Sequence, residues 1–100
     1  MQEDLREKVM ELFHLDTLEV YDTFWKKFRG LMFSRAKNVV IDLDKECILG
    51  AIIHMFFVFY SLDVYWLNND LGVVDTRKKL KPFFIAIPKK KARYILEMPS

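Results

Sequence analysis

Arg29, Asp63 and His54 are the side chains whose type and setting could support chemistry, because each is a polar group inside a largely apolar run. Arg29 follows Phe28 and precedes Gly30, Leu31 and Met32. A guanidinium there could clamp a carboxylate or phosphate through its two-pronged fork. A structural ion pair, with Asp63 as partner, is the preferred reading. Asp63 lies between Leu62 and Val64. A buried carboxylate with a raised pKa could act as a general base. Pairing or hydrogen bonding is preferred for it, since an unpaired buried carboxylate is costly. His54, between Ile53 and Met55, reads as a core or wall residue before it reads as a ligand. His14 lies forty residues away, so no Cys/His cluster stands at ligand spacing and no metal is expected. Cys47 has only Lys45 and Glu46 as nearby charges and reads as a small buried hydrophobe. Three glycines, Gly30, Gly50 and Gly72, make no phosphate loop, and no cofactor is expected.

Charge is unevenly spread. Residues 1–16 hold five acids and two bases, whereas residues 71–100 hold two acids and eight bases, within an overall net charge of +2. Arg77, Lys78, Lys79 and Lys81 form one basic cluster; Lys89, Lys90, Lys91 and Arg93 form another. A five-residue strand between them would hold the clusters about 17 Å apart. They suit phosphate-bearing partners, but solvated turns whose lysines guard strand edges are the preferred reading. Nucleic acid is therefore retained as a partner without being favoured, the aromatic residues being needed for the core.

One hundred residues suit a single domain over 1–100, and 52% hydrophobic with 15% aromatic residues supply a core and exclude disorder. One cysteine allows no intramolecular disulfide, which suits a cytoplasmic location. The N-terminus shows no signal-peptide pattern. The sixteen uncharged residues from Cys47 to Leu62 fall short of the roughly 20 needed to span a bilayer, so no membrane partner is expected. Their β-branched and aromatic content favours a buried strand.

Leu5, Val9, Leu12 and Phe13 mark one face of a helix over 2–15, and Phe24 to about Arg29, ended by Gly30, suggests a second. Strands are expected at 17–21, 38–42, 52–60, 63–67, 73–77, 83–87 and 93–98, with a charged turn at 43–47 and a turn at 68–72. The fold class is α+β: a small β-rich domain, an antiparallel barrel-like or strongly curled sheet of six to seven short strands with two helices. Leu31, Met32, Ile53, Phe57, Val64, Trp66, Ile85 and Leu96 are the expected core.

Four stretches in order resemble domain of unknown function family 192. They are Val20-Tyr-Asp-Thr-Phe-Trp-Lys-Lys-Phe-Arg29-Gly30-Leu31-Met32-Phe33; Ile53-His54-Met55-Phe56-Phe57 leading to Leu62-Asp63-Val64-Tyr65-Trp66-Leu67; Leu80-Lys81-Pro82-Phe83; and Ala92-Arg93-Tyr94-Ile95-Leu96-Glu97-Met98-Pro99. They cover about residues 18–100, and His54-Met55-Phe56 is similar to the archaeal form. Ser61 stands where the family usually has proline, and Phe57 and Val58 replace a polar Asn-Thr pair of bacterial members. The family pattern implies a Gly-rich turn and short strand beyond the last proline, where this chain has only Ser100. The helix at 2–15 is not among the family features. The resemblance implies a compact β-rich fold and no assigned activity.

Two function classes follow. One is a non-catalytic binding or accessory domain for a small ligand or a protein. The other is a small enzyme, with hydrolysis as the broadest guess, using Asp63 and Arg29. Nucleic-acid binding through the basic tail is a weaker third.

Overall fold

In the computed structural model, residues 2–22, 35–55 and 57–100 are described. Helix α1 spans Gln2–Phe13. Strand β1 (Glu19–Tyr21) is followed by β2 (Val39–Cys47), a 3-10 turn at Leu49–Ala51, and β3 (Ile53–His54). Then come β4 (Leu62–Leu67), β5 (Val73–Leu80), β6 (Ile85–Ala86) and β7 (Ala92–Pro99).

Five strands form one sheet in the order β1-β2-β7-β4-β5, and β3 pairs with β6 in a separate two-stranded ribbon. β1 runs parallel to β2 and the other pairs are antiparallel, so the sheet is mixed. Among the described residues it ends at β1 and β5 and does not close, so of the expected antiparallel barrel-like or strongly curled sheet the barrel-like form is corrected. A parallel neighbour needs a long connection, and residues 22–38 supply it. The second expected helix, at Phe24 to Arg29, lies outside the described residues.

Strand β7 is central, and both of its faces are covered. Ile95 joins Val39, Ile41, Val64 and Trp66 in one cluster, roofed by Ala51, Ile53, Met55 and Ala86 from the 3-10 turn and the ribbon. The Trp66 indole N–H donates to the Ala51 carbonyl at 2.7 Å, satisfying its one donor inside the core. Leu96 and Tyr94 join Val40 and Leu67 in a second cluster on the opposite face, where Val9 and Leu18 pack. Thus α1 lies on the sheet through Val9, Leu5 and Phe13, whereas Leu12 is exposed.

Several sequence expectations need correction. The apolar run 52–60 holds a strand only at Ile53–His54. The chain then turns, with Val58 N–H donating to the Met55 carbonyl and Phe57 at φ 60°. Continuous apolarity suggested a buried strand, but Ile53, Met55 and Val58 are buried while Phe57 and Phe59 are exposed, and nothing in the pattern revealed the turn. Residues 43–47 continue β2 past a register shift, with Asp44 at φ 71°. Their charges reflect an exposed strand end, not a turn. The strand expected at 83–87 is only Ile85–Ala86, and β5 extends to Leu80. Ile53, Val64, Trp66 and Leu96 are buried, but Phe57 and Ile85 are exposed. Leu31 and Met32 lie outside the described residues.

Trp66→Ala should cost about 3–5 kcal/mol in urea melts, since it empties the centre of the larger cluster and frees the Ala51 carbonyl. Phe57→Ala should cost less than about 1 kcal/mol. Equal losses at the two positions would contradict the assignment of one to the core and the other to the surface.

Candidate functional site

Asp63 sits on β4 with Tyr65 and Leu67 on the face that carries α1, because Leu62, Val64 and Trp66 point the other way. Its carboxylate is engaged. Oδ1 accepts the Lys79 backbone N–H at 2.8 Å, and Oδ2 lies 3.9 Å from the Lys78 ammonium. Opposite it β5 bulges, since Leu62 pairs with Leu80 but Val64 with Arg77, and Lys79 takes φ 53°. Asp63 therefore supplies the acceptor that an irregular strand edge leaves its N–H needing. Lys78 also donates to the Tyr65 hydroxyl and lies 4.7 Å over that ring. The hydroxyl contact, and then the charge of Asp63, hold its ammonium pKa up.

His54 is half-buried on the ribbon over the opposite face of the sheet, in register with Ile85. The structure thus places His54 and Asp63 on different sides of the sheet. Arg29 lies outside the described residues, as does any pairing it makes with Asp63.

Arg93, grouped in sequence with the lysines, is taken up elsewhere. Its Nε donates to Asp42 Oδ1 at 3.3 Å, its Nη1 reaches Asn69 Oδ1 at 3.4 Å, and the guanidinium lies 5.0 Å over Tyr94. Asp42, itself buried, also accepts the Asp44 N–H at 2.8 Å. This set braces the irregular stretch of β2.

The loop that carries the second lysine cluster is tied to β5. Asp75 on β5 accepts the Lys89 N–H at 2.8 Å through Oδ2 and the Thr76 N–H at 2.8 Å through Oδ1. Burial pushes the Asp75 carboxyl up, but these two amides and the charges of Lys89 and Arg77 outweigh it and hold the group below its ordinary value. The second lysine cluster is therefore clipped to β5 two residues from Arg77. It does not lie a strand length away, because the strand expected to separate the clusters is only two residues long. Arg77, Lys78, Lys79, Lys81, Lys89, Lys90 and Lys91 are all exposed.

Beside them lies an apolar surface that the sequence reading assigned to the core. Phe57, Phe59, Phe83, Phe84, Ile85 and Ile87 are 45%, 64%, 51%, 57%, 54% and 54% exposed. Phe83 meets Phe57 and Phe59 edge-on, at ring-centroid distances of 6.2 and 6.0 Å. The ribbon alternates: Ile53 and Ala86 face the core, while Ile85 faces out. Phe57 and Phe83 adopt φ 60° and 67°, a left-handed region where Gly or Asn would be less strained. Both are large apolar side chains at strained, exposed turn positions, and such outliers motivate a hypothesis of function.

Glu97 is the polar group that sequence reasoning missed. It is 4% exposed on β7, in register with Val39 and Val64. Burial pushes its pKa up to about 7. Tyr60 is near enough that, after burial, the charge of Glu97 helps raise its phenol pKa, while Lys37 opposes this. Tyr60 donates to the Arg35 carbonyl at 3.0 Å. Lys37 pairs with Glu19 at 2.7 Å and lies 5.6 Å from the Tyr21 ring centroid. An available signal was the strand itself: a central strand covered on both faces has no solvent side for an acid. Among the described residues no group of three or more His, Cys, Asp or Glu is placed to hold a metal ion. A separate open cleft of about 580 Å³ lies between α1 and the 68–72 turn, lined by Asp4, Leu5, Glu11, Asp70 and Tyr94 among others. Among the described residues no helix is long and apolar enough to cross a membrane.

Comparisons with known proteins bear on the family and the fold. The model of domain of unknown function family 192, described as "Uncharacterized ACR", matches residues 6–100, reaching into α1. A UPF0127 protein of Thermococcus sibiricus is 43% identical over 84 residues, covering 82% of this chain and 54% of that protein. One from Pyrococcus horikoshii is 42% identical over 83 residues, covering 82% and 71%. The chain spans about half the length of the first of these relatives. Among solved structures, a Sinorhizobium meliloti protein provisionally described as a transcription regulator superposes with a TM-score of 0.75 at 17% identity, over 83% of this chain and 67% of that one. A protein of unknown function from Novosphingobium aromaticivorans gives 0.74 at 17%, over 83% and 62%. At that identity the likeness is one of fold.

Asp63→Ala should cost about 1–2 kcal/mol by freeing the Lys79 N–H, and Asp63→Asn less, because its amide oxygen still accepts. A neutral Asp63→Ala would contradict the bracing role. Glu97 predicts a second outcome. A carboxyl whose folded pKa lies near 7 and whose unfolded pKa is near 4.5 holds its proton more tightly when folded. Stability should therefore fall as pH rises between these values, by up to about 3 kcal/mol, and level off above. Urea melts across that window should show the fall in the parent chain and a flat profile in Glu97→Gln. Identical slopes would contradict it.

Proposed function

We propose that this chain, which belongs to domain of unknown function family 192, is a non-catalytic binding or accessory domain whose recognition surface is the apolar outer side of the β3–β6 ribbon and the adjoining turns. The observation that carries this reading is the group of six large apolar side chains exposed on the ribbon and its turns, in a segment flanked by the exposed Lys81, Lys89 and Lys90. A contiguous exposed apolar surface on a small protein marks an interaction site more often than an accident of packing. The enzyme alternative is weakened by the engagement of Asp63, its candidate base, with the β5 bulge. The partner is a protein, a ligand or an assembly that offers apolar contact and negative charge, met in the cytoplasm.

The test is amide NMR of the intact chain during titration with three anionic probes: polyglutamate, a single-stranded oligonucleotide and anionic detergent micelles. The reading expects at least one probe to shift resonances of Phe83, Phe84, Ile85 and Ile87 and of the neighbouring lysines. Shifts confined to the cleft between α1 and the 68–72 turn would contradict it.

A further inference from the structure

The chemistry of the partner can be narrowed from the composition of this surface. Its apolar part is both aromatic and aliphatic: Phe57, Phe59, Phe83 and Phe84 sit on two adjacent turns, and Ile85 and Ile87 follow along the ribbon. Its charged part brackets the apolar part within the same segment. Lys81, whose carbonyl accepts the Phe84 N–H at 3.2 Å, opens the turn, and Lys89 and Lys90 follow Ile87 by two and three residues. The Asp75–Lys89 contact fixes the lysine end of this segment against β5.

Three occupants compete for such a surface. A second copy of this chain would bring Lys81, Lys89 and Lys90 against their own likes, which opposes association. A single-stranded nucleic acid needs aromatic faces open for stacking. Here Phe83 is engaged edge-on by Phe57 and Phe59 at 71° and 73°, and two of the six apolar side chains are isoleucines, which cannot stack. Apolar tips bordered by lysines instead match a surface that is hydrocarbon inside and anionic outside. Phenylalanine and isoleucine would enter the acyl boundary while lysine stems extend and keep their ammonium groups among the headgroups.

We propose that the turns at Phe57–Phe59 and Phe83–Phe84, with Ile85 and Ile87, dock peripherally onto an anionic lipid surface held by the bordering lysines. This rests on the reading of the same face as the recognition surface and names its partner. It concerns contact with one leaflet and not a membrane span.

The test is co-sedimentation of the full chain with phosphatidylcholine vesicles and with vesicles that also contain phosphatidylglycerol. Binding is expected to the mixed vesicles, weakened by salt, and not to phosphatidylcholine alone. Phe84→Ser with Ile87→Ser should weaken it about tenfold or more. Lys81→Glu with Lys89→Glu and Lys90→Glu should weaken it about a hundredfold. Melting temperatures of both variants serve as the folding control. A variant that fails this control is replaced by Phe84→Gln alone or by the three lysines changed to glutamine. Absence of binding to mixed vesicles, or loss on charge reversal with no loss from the apolar variant, would overturn the lipid assignment. If vesicles fail but polyglutamate or the oligonucleotide shifts the ribbon resonances, the recognition surface stands and the lipid does not. If no probe shifts them, both fall.

Discussion

The organising constraint is the double burial of β7. This strand has neighbours on both sides and a covered surface above and below, so Ile95, Leu96 and Glu97 all lie inside. The sheet alone cannot cover itself. One face takes an amphipathic helix, which is marginal in isolation and is held by Val9 on Val40, Leu67 and Leu96. The other takes the 3-10 turn and the ribbon, tied down where the Trp66 indole meets the Ala51 carbonyl. Among the described residues the ribbon and its turn present Ile53, Met55 and Ala86 inward, while Ile85 and Ile87 stay exposed.

The two irregular strands obey the same accounting of backbone polar groups. One irregularity in each strand is braced by an aspartate: Asp42 for β2, with Arg93 across from it, and Asp63 for β5, with Lys78 and the Lys79 amide. Asp75 performs a related service by clipping the loop before β7 onto β5. All three carboxylates accept amides that a bulge or loop leaves without a ladder partner. Glu97 differs, since burial is the named cause of its raised pKa and it lies near Tyr60.

Much of the β-rich character was legible in sequence. The strands expected at 63–67 and 93–98 match β4 and β7, the Asn-Asn-Asp-Leu-Gly turn fell where the Asn68 side chain accepts the Asp70 and Gly72 amides, and the Leu5/Val9 periodicity found α1. What failed was the apolar run at 52–60 and the segment at 83–87. Phenylalanine and isoleucine there look the same to a hydropathy pattern whether they fill a core or face a partner. The left-handed turns at Phe57 and Phe83 carry none of the glycine or asparagine that announces such geometry. Asp63 was correctly read as satisfied, but its partner, the amide of Lys79 across a bulge, depends on a register that the sequence does not encode locally. Glu97 was missed because the covering of β7 on both faces is set by elements distant in sequence.

The central claim is that the outer side of the ribbon belongs to recognition and not to folding. The most direct measurement is the urea-unfolding free energy of Ile85→Ser combined with Ile87→Ser, set beside that of Ile53→Ser on the inner side of the same ribbon. The account predicts that the outer pair changes stability by less than about 1 kcal/mol, the inner change costing several times more. Comparable losses from the two variants would contradict it, because the outer isoleucines would then be part of the core.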